Sequence, residues 1–112
     1  MRRDRIFERD EWRCVYCGEQ FPADELTLDH VEPRVVGGDR SEGNLVSACI
    51  ACNTLKGQRR LSDFLLEREV ARANFFLHAV HVWPRILRAL RDDLERQTDV
   101  RSRRHGNGSA NR

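Results

Sequence analysis

The spacing of apolar residues along the chain changes near residue 60. Before this point, apolar residues stand in short groups separated by charged residues and by turn-forming Gly and Pro. Beyond it, they recur every three or four residues, which is the period of one face of a helix. We therefore expect two parts, a compact unit over residues 1–60 and a helical extension over residues 61–97.

The compact unit combines short helices and short strands. Helix formers mixed with apolar residues predict a helix over residues 3–12. Apolar residues over 26–31 predict a strand that ends before Pro33, because proline cannot donate to a strand ladder. Residues 44–47 predict a second strand, so the two would form a hairpin with a long Gly-rich connection. A short helix would follow and end near Gly57, a residue suited to the position after a helix.

The helical extension carries one regular apolar face. Ser62 is a plausible N-cap for a first helix, and Pro84 stands where a second could begin. One unbroken, kinked helix would fit the pattern too. Residues 98–112 are rich in Gly, Asn, Ser and Arg and are expected to be disordered. The apolar face consists of Leu66, Val70, Ala73, Leu77 and Val80.

The composition is that of a small, highly charged protein. Its 112 residues are 34% charged, so we expect one domain with a modest core that needs a covalent or metal staple. The first residues lack the apolar run of a signal peptide, and no stretch approaches the roughly 20 apolar residues of a membrane span. We therefore expect a cytoplasmic protein with no membrane partner. The net charge of +2 does not predict a basic surface.

The four cysteines form two Cys-x-x-Cys pairs, Cys14 with Cys17 and Cys49 with Cys52. We call the segment around the first pair the first knuckle and the segment around the second pair the second knuckle. This spacing lets both sulfurs of a pair reach one tetrahedral ion, and a reducing compartment disfavours disulfides. We favour a structural Zn²⁺ held by all four cysteines. A redox Cys-x-x-Cys would normally come as one pair, whereas the spacing alone leaves an iron-sulfur centre open.

Residues with the chemistry of a hydrolytic site lie beside these metal knuckles. A Cys₄ zinc site has no open coordination position, so any catalysis must occur next to it. Asp29 and Asn53 offer oxygen ligands of the kind that Mg²⁺ or Mn²⁺ prefers, and His30 offers a nitrogen that can accept a proton near neutral pH. This set of residues suits metal-assisted hydrolysis of a phosphodiester.

The stretches CVYCG, LTLDHVEPRVVGGDRSEGNLV and CIACNTLKG resemble the HNH endonuclease family over roughly residues 2–60. The resemblance implies a small α+β domain with the ββα-metal fold, stapled by the Cys₄ zinc site. It implies that His30 is the general base, that Asp29 and Asn53 hold the catalytic divalent ion, and that Asn44 is the central Asn of the motif. Asn53 stands where the literal pattern has a second His, which weakens Zn²⁺ or Ni²⁺ as the catalytic ion. The C-terminal helical extension lies outside the resemblance.

Three other sets of residues have weaker assignments. Asn44 is expected to be structural, with its side chain bonded to the backbone of the Gly-rich loop so that His30 is held in place. His78 and His81 lie three apart on a helix but have no third ligand in view, so we interpret them as core or surface histidines. The candidates for contact with phosphates, which could equally form a solvated helix end, are Lys56, Arg59 and Arg60.

The leading interpretation is a metal-dependent endonuclease that cleaves nucleic acid, with DNA favoured over RNA. A non-catalytic zinc module that binds nucleic acid or protein is the main alternative, and an interaction subunit active only within a complex is a third. The apolar face over residues 61–97 must be covered, either by folding back on the domain or by a second copy, and we favour a homodimer. The sequence does not distinguish nicking from double-strand cleavage.

Overall fold

A computed structural model describes residues 2–32 and 40–110 of the chain, with side chains described as far as residue 100. The expected hairpin connection therefore lies mostly outside the described residues. Two strands and five helices are seen in the described part: α1 (Arg2–Arg9), β1 (Leu26–His30), β2 (Leu45–Cys49), α2 (Ile50–Lys56), α3 (Leu61–Glu67), α4 (Glu69–His78) and α5 (Pro84–Ala110).

The two strands form an antiparallel hairpin that runs directly into α2. Its register pairs Leu26 with Cys49 at one end and His30 with Leu45 at the other. All five residues of β2 are buried, because α1 and α2 pack against the hairpin. The small α+β fold with two strands followed by a helix is therefore confirmed.

Helix α1 is fixed to the outer edge of β2 by side chains at its end. The buried Asp10 carboxylate accepts hydrogen bonds from the backbone N and the Oγ of Ser47, at 3.0 and 2.9 Å. Arg9 pairs with Asp10 at 2.9 Å and also donates to the carbonyl of Leu45 at 2.8 Å. The backbone N of Val15 donates to the carbonyl of Ser47 at 3.0 Å. These bonds satisfy the side of β2 that faces away from β1.

Two glycines take the backbone conformations that the sequence suggests. Gly18, at the end of the first knuckle, has a φ of 78°, a conformation that glycine adopts without strain and that suits a tight turn around a metal. Gly57 ends α2 with a φ of 60°, which confirms its predicted position after that helix. At Gly43 the requirement is space, since an added Cβ would lie about 2.1 Å from the indole of Trp83.

The helical extension packs on the first knuckle through aromatic rings. Phe64 of α3 meets Tyr16 edge to face, with ring centroids 5.5 Å apart. Phe75 of α4 stacks on the same ring at 6.0 Å. All three side chains are almost completely buried, so the extension and the knuckle share one core.

The break between α3 and α4 differs from the sequence prediction. The pattern favoured a continuous helix across this region, but Arg68 has an extended backbone and separates α3 from α4. The predicted N-cap at Ser62 was also wrong, because α3 begins at Leu61 and Ser62 is a buried residue within it. Helix α5 does begin at Pro84, as predicted.

The expected apolar face of the extension is not the face that packs. Helix α4 buries the side that contains Ala71 and Phe75. The other side of the helix remains open, with Val70 and Leu77 exposed by 73% and 67%, and Val80, just beyond the helix, is 64% exposed. Two apolar stripes fit the same helical period, and the one that packs contains Phe75, whose ring stacks on Tyr16.

Helix α5 continues past the predicted boundary of a disordered tail. Its apolar residues Ile86, Leu90 and Leu94 are buried against the rest of the fold. The helix then runs on to Ala110, whereas disorder was expected over 98–112. Propagation of a formed helix adds one hydrogen bond per residue, so a segment that cannot pack can still extend a packed one. In the described part of the chain, no helix combines the length and apolar character needed to cross a membrane.

Candidate active site and metal centre

The four cysteines converge on one point. Their sulfur atoms all lie within 4.8 Å of one another. Cys14 and Cys49 are buried, and Cys17 and Cys52 are partly buried. Tetrahedral zinc at 2.3 Å from each sulfur requires sulfurs about 3.8 Å apart, so this arrangement fits a single metal ion such as Zn²⁺. The two knuckles come from the loop after α1 and from the β2–α2 junction.

The surroundings of the thiols explain why the cluster needs a cation. Burial raises the pKa of the Cys14 thiol to about 11. The pKa of Cys52 is raised mainly by burial and also by charge repulsion from the Cys14 thiolate. Burial opposes ionisation of Cys49 too, but the backbone hydrogen bond from Cys52 at 3.3 Å and bonds from the other thiols lower its pKa. Zinc binds thiolates, so a bound ion would supply the positive charge that crowded thiolates lack.

Asp29 has a hydrogen-bond partner on each of its two carboxylate oxygens. Its carboxylate is buried, and its two oxygens have different partners. Oδ1 accepts a hydrogen bond from Nζ of Lys56 at 2.9 Å. Oδ2 accepts one from the hydroxyl of Tyr16 at 2.5 Å. The carboxylate is therefore clamped between the first knuckle and the end of α2.

Asn53 lies on the same side of the hairpin as Asp29. Its Nδ2 donates to Oγ1 of Thr27 at 3.0 Å, and Thr27 in turn donates to the carbonyl of Ala48 at 2.9 Å. Thr27 and Asp29 are two residues apart in β1 and therefore point to one face. Since Asn53 and Lys56 are three apart on α2, the helix presents both side chains to that face. Asp29 and Asn53, the two residues predicted to hold a divalent ion, therefore belong to the same face of the hairpin.

His30 leaves the strand on the other side from Asp29. Neighbouring residues of a strand point to opposite faces, so the imidazole does not follow the carboxylate toward α2. Its Nε2 atom is buried from solvent. A role as general base requires a water or substrate to reach this nitrogen.

Asn44 holds the backbone directly after His30, which is similar to the structural role predicted for it. Its Oδ1 accepts from the backbone N of Glu32 at 2.8 Å, and its Nδ2 donates to the carbonyl of Glu32 at 3.0 Å. The backbone N of Val31 also donates to the carbonyl of Asn44 at 2.9 Å. The side chain thus fixes the exit of β1 and the direction in which His30 points.

The three basic candidates for phosphate contact have different environments. Lys56 is buried and paired with Asp29. The sequence pattern instead predicts an exposed position for it, either in contact with phosphates or at a solvated helix end. Arg59 pairs with Glu67 and lies over the ring of Phe64. Arg60 is 65% exposed and bonds to Asp93 of α5 at 3.0 Å.

A cleft of about 290 Å³ lies beside the end of β1. It runs between Val31 and Glu32 on one side and the inner face of α5 on the other. Arg60 and Arg96 are on its wall, and both arginines approach Asp93, Arg96 at 3.5 Å. The first lining residue, Val31, directly follows His30 in the sequence.

Sequence reasoning missed Tyr16 and Thr27, and it gave Lys56 a different role. Tyr16 stands between two cysteines, a position that carries no pattern of its own. Thr27 reads as an ordinary strand residue. Only the packing of α2 on β1 connects these residues with Asp29 and Asn53. His78 and His81 belong to no group of three or more metal-ligating side chains among the described residues.

The geometry agrees with comparisons to known proteins. Residues 14–59 match the family model of the HNH endonuclease. A CRISPR-associated endonuclease Cas9 from Corynebacterium diphtheriae is 35% identical over 51 residues, which are 45% of this chain and 5% of that protein. The crystal structure of a type II-C Cas9 enzyme from Actinomyces naeslundii superposes with a TM-score of 0.54 and 25% identity, covering 64% of this chain and 8% of the other. The chain thus spans a small fraction of the relatives it matches.

The residues on the α2 face also fit a divalent ion. The similarity to HNH endonucleases leads us to expect such an ion. Asp29 and Asn53 supply hard oxygen donors, the ligand type preferred by Mg²⁺ or Mn²⁺. Each carboxylate oxygen can accept about two hydrogen bonds or ligands, so the bonds from Tyr16 and Lys56 leave acceptor capacity on Asp29. The donor set therefore suits the ion, with Lys56 as a neighbouring positive charge.

Proposed function

We propose that this protein is a metal-dependent endonuclease that hydrolyses phosphodiester bonds in nucleic acid, with DNA as the favoured substrate. The observation that carries the proposal is the position of Asp29 and Asn53 on one face of the hairpin inside the matched domain, with His30 next to Asp29 in the sequence. Of the two relatives, the Corynebacterium diphtheriae protein is described as an endonuclease, which supports the reaction class. They span far more sequence than this chain, so the substrate is part of the proposal.

Each side chain has a distinct task in the proposed reaction. His30 accepts the proton of the attacking water, which requires the imidazole to be neutral. Asn44 keeps the backbone after His30 in place through its two bonds to Glu32. A divalent ion held by Asp29 and Asn53 would stabilise the charge that develops on the phosphate. The four cysteines would hold Zn²⁺ as a scaffold without taking part in the reaction.

Nucleic acid would approach through the cleft between β1 and α5. Arginine forks bind phosphates through paired hydrogen bonds, and Arg60 and Arg96 are the exposed arginines on its wall. Arg60 retains its place among the candidates for phosphate contact. Lys56 is not proposed to contact phosphates, because its ammonium points inward to Asp29.

The proposal is tested by cleavage assays on plasmid, linear and single-stranded DNA and on RNA, with Mg²⁺, with Mn²⁺ and with EDTA. We expect cleavage that depends on the divalent ion and falls by about 10²–10⁴ in His30→Ala. The matched control is His81→Ala, which removes an exposed histidine from the helical extension. If His30→Ala cleaves at the wild-type rate with saturating Mg²⁺, the site is not the catalyst.

A non-catalytic zinc module is the second candidate. Two observations favour it: an ammonium already neutralises Asp29, and Nε2 of His30 is buried. Such a protein would bind nucleic acid without cleaving it. Binding by the wild type that is unaffected by EDTA, together with no cleavage of any substrate, would support this candidate over the nuclease.

We also propose a second copy of the chain as the partner of the open side of α4. The support is the exposed apolar stripe of Val70, Leu77 and Val80. In an antiparallel pair of α4 helices, Glu69 in the first turn of one copy would lie near His78 in the last turn of the other, so a carboxylate would face an imidazole at each end. Two domains related by a two-fold axis would suit paired cuts in a duplex.

A further inference from the structure

We infer that Tyr16 is a positioning residue for the proposed metal site, and that the helical extension acts on Asp29 through it. The inference rests on the proposed function, because Asp29 is there a ligand of the divalent ion. It extends that function by giving residues beyond the matched domain a part in the site. The contact that carries it is the 2.5 Å hydrogen bond from the Tyr16 hydroxyl to Oδ2 of Asp29.

The bond fixes how the carboxylate is turned. A carboxylate on a short side chain can rotate, and a free one would present either oxygen to a ligand. Here the phenol holds Oδ2, and Lys56 meets Oδ1 from α2 at 2.9 Å. With one donor on each oxygen, from two different elements, the carboxylate has a single orientation. Hydrogen bonds of this kind, from a neighbour to a metal ligand, orient the ligand before the ion arrives.

The Tyr16 ring is itself immobilised by the extension. Phe64 meets it edge to face and Phe75 stacks on it, with centroids 5.5 and 6.0 Å away. Asn74 of α4 donates to the carbonyl of Tyr16 at 2.9 Å. These three residues lie outside the matched stretch of 14–59. Helices α3 and α4 therefore determine where the hydroxyl of Tyr16 points.

The position of Tyr16 in the chain connects it to the metal knuckle as well. It lies between Cys14 and Cys17, and its backbone N donates to Sγ of Cys14 at 3.4 Å. The side chain is 1% exposed, so its hydroxyl has no water to replace a lost acceptor. One residue thus joins the cysteine cluster, the extension and the Asp29 carboxylate.

The test is Tyr16→Phe, which keeps the ring in the core and removes only the hydroxyl. We expect the purified variant to retain its zinc and to bind Mn²⁺ about 10–100-fold more weakly than the wild type in calorimetric titrations without nucleic acid. The matched control is Ser62→Ala, which also removes a buried hydroxyl, here one bonded to Gln97 at 3.3 Å and remote from Asp29. The control should bind Mn²⁺ as the wild type does.

A second readout uses the fact that Tyr16 is the only tyrosine of the sequence. Tyrosine labelled with ¹³C at Cζ gives one resonance, and Mg²⁺ bound at Asp29 should shift it as the carboxylate polarisation changes. The shift should saturate in the wild type and be absent in Asp29→Ala. A Tyr16 resonance whose chemical shift does not change at saturating Mg²⁺ would contradict the inference.

Failure of the inference and failure of the proposed function give different results. If Asp29→Ala abolishes Mn²⁺ binding but folded Tyr16→Phe binds Mn²⁺ as tightly as the wild type or more tightly, the function stands and the role of Tyr16 is lost. If folded Asp29→Ala binds Mn²⁺ with unchanged affinity, the proposed metal site is wrong and the inference fails with it. Phe64→Leu provides an independent check, since loosening the ring without removing the hydroxyl should weaken Mn²⁺ binding in the same direction.

Discussion

Nζ of Lys56 lies 2.9 Å from Oδ1 of Asp29, and the two side chains are only 8% and 11% exposed. A buried ion pair of this kind depends on both partners, because either charge alone would lack compensation in the interior. The pair also joins the end of α2 to the middle of the hairpin. It therefore links the stability of the domain to the residue proposed to bind the divalent ion.

Replacing Lys56 should destabilise the protein strongly. We expect Lys56→Ala to lower the free energy of unfolding by about 3–5 kcal/mol, the usual cost of leaving one buried charge unpaired. Chemical denaturation of the zinc-loaded protein measures this. Arg60→Ala is the control, because it breaks an ion pair whose arginine is 65% exposed and should cost no more than about 1 kcal/mol. Equal losses in the two variants would contradict a buried pair.

Removal of the metal should unfold the domain. We expect one zinc per chain in the purified protein, and loss of the folded state after chelation or in Cys49→Ser, because a small core relies on its metal for stability. Elemental analysis and circular dichroism check both points. Because the ligands must be thiolates, zinc should be released as the pH falls and protons compete for the sulfurs. A folded protein without any metal would refute the assignment of the cysteines.

The contact between Gly43 and Trp83 should be sensitive to one methyl group. In Gly43→Ala the new Cβ would lie about 2.1 Å from the indole, so Trp83 must move, and we expect a loss of about 1–3 kcal/mol in stability. Combining Gly43→Ala with Trp83→Ala relieves the clash. The alanine at 43 should then cost much less than it does in the presence of Trp83. Additive effects would show that the two residues do not touch.

A charge on the open side of α4 should separate a dimer if one forms there. Leu77 is 67% exposed, so Leu77→Glu should leave the fold intact while preventing association through this helix. Light scattering at micromolar concentration should show the wild type at twice the mass of Leu77→Glu. Glu95→Lys, on an exposed position of α5, is the charge-change control and should remain dimeric. A monomeric wild type would contradict the proposed homodimer.

The parts of the fold that follow from local spacing were predicted from the sequence. The pairs Cys14/Cys17 and Cys49/Cys52, the hairpin and the end of α2 at Gly57 each depend on a few neighbouring residues. The burial of Lys56 did not follow, because it depends on how α2 crosses β1. A lysine at the end of a short helix is usually solvated, and its local sequence contains nothing about a carboxylate 27 positions earlier.

The choice between the two sides of α4 failed for a different physical reason. Val70 and Leu77 keep helical spacing, and so do Ala71 and Phe75. Periodicity identifies a helix but does not say which of two apolar stripes meets the core. The ring of Tyr16 decides it, since Phe75 can stack on that ring and Leu77 cannot. The partner lies in the first knuckle, far away in sequence.

The bonds along the outer side of β2 affect how copies of the protein can associate. A two-stranded sheet has two open margins, and an open margin invites a strand from another molecule to add on. Here the carbonyl of Leu45 is taken by Arg9, and the N and carbonyl of Ser47 are taken by Asp10 and Val15. An incoming strand would have to break a buried arginine–aspartate pair before it could form its first bond on this side. Helix α1 therefore protects the hairpin against growth into an extended intermolecular sheet.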